Sequence, residues 1–236
     1  MPAPIPSPQP DASAPFNDPA ATPSYAERTR RLVPGYDDML RMAGVLAAER
    51  APADAQVLVI GAGGGAEIAT LAQMQAQWRF TGVDPAQPML DLARETLGPL
   101  MDRVHLHHGY VDTAPQGPFD AATCILTLHF VTPDERRRTL QEIRRRLKPG
   151  APLVIAHLSF PQMPEDEKQR GFARYVAFAV SSGVNAADVQ NAATVMATRL
   201  TILAPTDEEA MLTDAGFTGV QVFHAGLAFR GWVAWA

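Results

Sequence analysis

The sequence predicts an α/β fold built on a largely parallel sheet with helices on both faces. Three observations carry this. Short apolar runs alternate with helical periodicities through the middle of the chain. A glycine-rich turn, residues 61–65, joins one such run to a helix. Two final runs near the C-terminus alternate like an antiparallel pair. The 236 residues, 47% hydrophobic and 19% charged, suit one domain with a substantial core.

Eight of the 21 prolines fall in the first 24 residues, which are otherwise Pro/Ala-rich. Such a stretch has few large side chains whose burial could offset its ordering entropy. Residues 1–24 are therefore expected to be a disordered tail, or a Pro-rich ligand for a partner, and 25–236 the domain. Residues 25–32 and 36–50 read as helices broken at Pro34-Gly35. In the second, Met39, Leu40, Ala43, Leu46 and Ala47 make one apolar stripe. A buried strand follows at 56–60, then the glycine turn and a helix at 66–76. The alternation continues with a strand at 78–83, a helix at 87–97 and a strand at 104–108. A strand at 119–126, a helix at 133–147 and a strand at 152–157 come next. Residues 162–205 interrupt the pattern with two Ala-rich helical stretches. A helix at 207–215 ends at Gly216, and strands at 218–225 and 228–235 close the chain.

The formal net charge of −5 argues against a broad nucleic-acid surface. A single cysteine, Cys124, rules out an internal disulfide framework and suits a reducing compartment. No apolar run reaches membrane-span length, and the N-terminus lacks the basic start and apolar stretch of a secretory signal. A cytoplasmic enzyme without membrane attachment is the expectation.

The glycine turn is the first chemical motif. In Val57-Leu58-Val59-Ile60-Gly61-Ala62-Gly63-Gly64-Gly65-Ala66 the glycines permit a sharp turn and close approach of a ligand, beside the free N–H groups of a helix start. Asp84 ends the next strand, where a carboxylate can accept the hydroxyls of an adenosine ribose. The turn also fits a dinucleotide fingerprint. A nicotinamide or flavin cofactor and S-adenosylmethionine are thus both open at this point.

The downstream segments separate them. Phe80-Thr81-Gly82-Val83-Asp84-Pro85 through Ala93 resembles the second motif of class I S-adenosylmethionine-dependent methyltransferases. Phe119-Asp120-Ala121 through Phe130 resembles their fourth-strand motif, and Leu147-Lys148-Pro149-Gly150 their turn before strand five. Leu212-Thr213-Asp214-Ala215-Gly216-Phe217 resembles their last helix-to-strand corner. The resemblance runs from about residue 25 to 236. It implies a Rossmann-like seven-stranded sheet of order 3-2-1-4-5-7-6, strand 7 antiparallel, with N-terminal helices and a helical insert after strand 5.

Val33-Pro34-Gly35-Tyr36, the Thr127–Phe130 segment and the insert before Asp207 are similar to the carboxy-S-adenosylmethionine synthase branch, whose members act in tRNA modification. The resemblance implies a donor site of Tyr36 near the methionine end, with Gly61, Ala62 and Gly63 beneath it. Asp84 and Pro85 fall at the ribose, Tyr110 and Val111 at the adenine, and Ile125 at the edge of strand four. Three departures stand out. Residues 175–198 hold no Lys or Arg, whereas the branch holds its extra carboxylate with an arginine there. The acidic residue usual near the end of strand one is Val59, and the one usual after strand three is Tyr110. Ordinary methyl donation from S-adenosylmethionine is therefore expected. A carboxy-S-adenosylmethionine synthase relative and a non-catalytic adenosyl-binding protein are the alternatives.

The acceptor is expected to be a small apolar or aromatic molecule, because the insert carries Phe172, Tyr175, Phe178 and Met196 as a lid surface. A helix–helix or homodimer contact is the other reading of that surface. His129 and His157 follow strands four and five, where ligands of open α/β sheets bind, and are the candidate general bases. Hydrogen-bonded loop or core histidines are the plain alternative. His105, His107 and His108 lack a completing Cys or carboxylate set, so no metal site is expected. The runs Arg136-Arg137-Arg138 and Arg144-Arg145-Arg146 are read as the solvated faces of a helix rather than a nucleic-acid patch.

Overall fold

The computed structural model describes Phe16 and residues 25–236. The expected tail, residues 1–24, otherwise lies outside the described residues. Two helices, α1 (Tyr25–Leu32) and α2 (Tyr36–Ala48), lead into β1 (Gln56–Ile60) and α3 (Ala66–Met74). Then come β2 (Arg79–Asp84), α4 (Gln87–Leu97), β3 (Val104–His108) and β4 (Ala121–Ile125). After α5 (Pro133–Arg146) and β5 (Pro152–Leu158) the insert contributes α6 (Glu165–Ser181) and α7 (Ala186–Arg199). The chain ends with α8 (Pro205–Asp214), β6 (Thr218–Gly226) and β7 (Phe229–Trp235).

The seven strands form one sheet in the expected order, β3-β2-β1-β4-β5-β7-β6. β1 to β5 are parallel, and β7 runs antiparallel to both β5 and β6. β4 and β5 are buried along their whole length, because helices cover both faces. Their continuous apolar runs are the sequence trace of that position.

Three apolar clusters fill the molecule. One packs α5 and α8 on one face around Leu140, Ile143 and Trp232. Another packs α3 and α4 on the outer strands around Ile68, Leu71 and Trp78. The third joins α2 to the insert: Tyr36, Met39 and Leu40 share it with Tyr175, Val189 and Phe229. Most of the insert's apolar stripe thus faces this core, while Val180 and Val195 stay exposed.

The arginine runs on α5 depart from expectation. Arg136 and Arg146 are fully buried, not solvated. The helix presents a wider buried face than its aliphatic stripe, and each guanidinium is satisfied by fixed partners. Arg146 donates to the carbonyls of Asp112, Ala114, Pro115 and Glu142 and pairs with the Glu142 carboxylate. Arg137 and Arg145 remain on the surface in pairs with Asp134 and Glu142. Among the described residues no helix is long and apolar enough to cross a membrane, and no group of three metal-ligating side chains forms. His107 and His108 instead bond Thr113 and the Pro85 carbonyl.

Candidate active site

The glycine turn sits at the carboxyl edge of the sheet, between β1 and α3. Gly61, Gly63 and Gly65 have φ of 72°, 49° and 82°, the left-handed region that other residues enter at a cost. Packing also selects glycine at 61: an added Cβ would stand 1.9 Å from Thr127 Oγ1. The turn is anchored to β2, since the N–H groups of Gly61 and Ala62 both donate to the Val83 carbonyl, at 2.8 and 3.0 Å.

Asp84 completes the anchoring. Its Oδ2 accepts from Gly63 N–H and its Oδ1 from Ala86 N–H, each at 2.9 Å. Burial pushes its carboxyl up, and the two N–H groups and His108 work against that shift without cancelling it. Each oxygen keeps a second lone pair for a further donor.

A cleft opens over the turn. Its floor is Gly61 to Gly64 with Ala66 and Glu67, and its far wall is Ile125 and Leu126. Tyr25 of α1 and Tyr36 of α2 close the remaining sides. Tyr25 lies against Gly64, and Phe16 meets both Tyr25 and Phe130 edge-on, at 5.9 and 5.0 Å between ring centres. Burial raises the phenol pKa values of Tyr25 and Tyr36, so both hydroxyls stay protonated as donors.

Of the sequence-predicted donor residues, Tyr36, Gly61, Ala62, Gly63 and Ile125 meet at this cleft, with Asp84 bonded to its rim. Pro85, Tyr110 and Val111 lie farther along the sheet edge and do not line it. Val111 is buried there and Tyr110 is exposed. Sequence reasoning missed Tyr25, Glu67 and Leu126. Leu126 holds φ of 57° at the end of β4, a conformation that its residue type does not announce. Glu67 left a trace: it precedes Leu71 by four residues and so shares a buried helix stripe.

Glu67 is 6% exposed, and burial pushes its carboxyl up to about 8. Thr123 of β4 opposes that shift, yet Glu67 Oε1 and Thr123 Oγ1 are both left buried without a hydrogen bond of good geometry.

His129 and His157 occupy a different place. Neither lines the cleft, and both are buried, 5% and 0% exposed. His157 Nε2 lies 2.9 Å from Glu208 Oε1 on α8, which also pairs with Arg136. Arg136 further donates to the carbonyls of Leu128 and Thr201. Burial pushes the Glu208 carboxyl up, but His157 and Arg136 outweigh it and hold it below the usual range. Burial, then His157 and Arg136, push the His129 imidazole well down, so it is neutral. This cluster ties β4, α5, β5 and α8 together behind the cleft. Cys124, buried in β4, has its thiol pushed up by burial and acts as packing.

A larger cavity of about 540 Å³ lies between α1 and the insert, lined by Arg28, Arg31 and Leu32 and by Tyr175, Val184 and Asp188. It has no wall in common with the glycine turn.

Comparison with known proteins agrees with this architecture. Residues 57–150 match the family described as Methyltransferase domain. A carboxy-S-adenosyl-L-methionine synthase from Chromohalobacter salexigens is 28% identical over 218 residues, covering 89% of this chain and 79% of that one. An O-methyltransferase family protein from Burkholderia thailandensis superposes with a TM-score of 0.67 at 16% identity, covering 95% of this chain. The chain spans 62% of that protein's length. A SAM-dependent methyltransferase from Aquifex aeolicus superposes with a TM-score of 0.61 at 19% identity, covering 92% of this chain and 98% of that one. Sheet order, glycine turn, the methyltransferase domain at residues 57–150 and these likenesses support a class I S-adenosylmethionine-dependent methyltransferase near the carboxy-S-adenosyl-L-methionine synthase branch.

Proposed function

We propose that this chain transfers a methyl group from S-adenosylmethionine to a small organic acceptor. The observation that carries the reading is the cleft itself. A glycine turn pinned by Asp84 forms its floor, and Tyr36, Ile125 and Leu126 form an apolar wall opposite. The donor's fit is supported by the turn's positive-φ glycines and by the unpartnered buried Glu67 oxygen.

Bound S-adenosylmethionine supplies a methyl carbon activated by its sulfonium. The chain's own residues then bind, orient and exclude water. Asp84 receives the ribose hydroxyls, with Pro85 beside it. Gly61, Ala62 and Gly63 lie beneath the ligand, Val111 and Tyr110 flank the adenine, and Tyr36 and Ile125 bound the methionine end. Tyr25 of α1 caps the cleft, and the Ile125 and Leu126 side chains opposite the turn favour an apolar or aromatic acceptor. His129 and His157 hold the scaffold in this reading, because both are buried off the cleft.

Carboxy-S-adenosylmethionine synthesis is the second reading, favoured by the relatives of that name. Against it, residues 175–198 hold no Lys or Arg, so the stretch of the insert where that branch pairs its extra carboxylate offers no cation. Two measurements test the proposal. Mass spectrometry identifies the ligand that co-purifies with the protein, and a screen of small acceptors follows label from a methyl-labelled donor. Label in an acceptor supports methyl transfer. A co-purified carboxylated sulfonium overturns it in favour of the second reading. Donor binding with no labelled acceptor points to a non-catalytic adenosyl-binding protein.

A further inference from the structure

We propose that Glu67 is the residue that receives the positive charge of the donor's methionine end. The inference rests on the donor reading above. Glu67 is the carboxylate among the residues that line the cleft; the other polar side chains there are the Tyr25 and Tyr36 hydroxyls. Its Oε1 is buried and makes no hydrogen bond of good geometry, although Thr123 of β4 lies beside it. A buried carboxyl left unsatisfied costs stability, and such a group stands where a ligand completes it. The position also answers the departure at Val59. The strand that lacks a carboxylate near its end is followed, one glycine turn later, by a carboxylate directed at the same cleft from the first turn of α3.

The groups that face Glu67 are few. Tyr25 and Tyr36 approach from α1 and α2, and Thr123 and Cys124 from β4. None of these is a cation, so the free protein neutralises the carboxyl by keeping its proton; burial raises its pKa to about 8. A ligand that brings an ammonium or sulfonium reverses the balance, because an adjacent cation favours the carboxylate. Binding then releases the Glu67 proton to solvent, and the cation takes its place as partner.

Calorimetric titration in buffers of different ionisation enthalpy counts that proton. Near neutral pH the wild-type chain releases most of one proton on binding S-adenosylmethionine, and Glu67→Gln releases none. Glu67→Gln also weakens S-adenosylmethionine at least about tenfold but leaves 5′-methylthioadenosine, which lacks both charges, unchanged. An equal loss for S-adenosylhomocysteine assigns the contact to the ammonium, and a loss confined to S-adenosylmethionine assigns it to the sulfonium. Binding of all three ligands to the wild type without proton release overturns the inference, as does an equal loss for 5′-methylthioadenosine. If none of the three binds the wild type, the donor reading itself fails. The proton count uses the unaltered chain, so it stands even if the variant folds poorly.

Discussion

Asp84 Oδ2 accepts the N–H of Gly63 at 2.9 Å, joining the end of β2 to the middle of the glycine turn. One carboxylate therefore shapes the turn and, in the proposed donor site, receives the ribose. Asp84→Ala removes both functions. It is expected to weaken S-adenosylmethionine by at least about 1 kcal/mol, the scale of a lost hydrogen bond. It also lowers the melting temperature, through the lost bonds to Gly63 and Ala86. Calorimetry with unchanged affinity would refute the ribose role.

Gly61 tests the packing of the same turn. A Cβ there meets Thr127 Oγ1 at 1.9 Å with φ at 72°, whereas one on Gly183 meets nothing within 4 Å at φ 85°. Gly183→Ala should cost about 1 kcal/mol of backbone strain, and Gly61→Ala about 2 kcal/mol or more. Equal losses in denaturant unfolding would show that Thr127 moves away freely.

The pair Arg136–Glu208 is fully buried, with His157 on the same carboxylate. Removing one partner leaves an uncompensated charge. Glu208→Ala or Arg136→Met should destabilise by about 3–5 kcal/mol, and the double replacement by less than their sum. Glu208 is held below its ordinary value of 4.5. Its contribution is therefore present above that value and is lost as pH falls through the lower folded one. Urea midpoints of wild type and Glu208→Gln should converge in acid; a constant gap would disprove the linkage.

Glu67 has the opposite sign. Its carboxyl is raised from 4.5 to about 8 in the fold, so the unfolded chain gives up that proton first. Stability of the free protein falls as pH rises between these two values, and levels off above the second. The melting temperature of Glu67→Gln should gain on wild type across that window. A gap independent of pH would mean that the carboxyl titrates normally.

His129 is neutral and enclosed. His129→Asn should leave the shape of the pH–rate profile unchanged once an acceptor is known. Loss of one limb of the profile would restore it as a general base.

Much of the donor side was legible in the sequence. The turn glycines and Asp84 lie within about 25 residues of one another, and β1, the turn, α3 and β2 are local in the chain. Tyr25 was not legible as a cleft residue, since nothing in a short helix says which distant turn it will cover. His129 follows β4 and His157 lies near the end of β5, but position along the chain does not reveal whether a side chain opens to the cleft or turns under a helix. Here α8 brings Glu208 against His157, and His129 is enclosed beside His157 and Arg136.

The layered α/β fold, the position of the insert and the glycine turn follow from local sequence. Period-2 and period-3.6 patterns fix what each segment buries, and glycine at left-handed φ is a requirement of the local backbone. Where the charges went depends on long-range packing. Arg136 and Arg146, in surface-like runs, are interior; Glu67, an ordinary first-turn acid by position, is the buried carboxyl of the cleft. The reason is physical. A buried charge needs a partner, as Arg136 has in Glu208, or else the group stays neutral, as Glu67 does; which of these holds is set by elements far away in the chain.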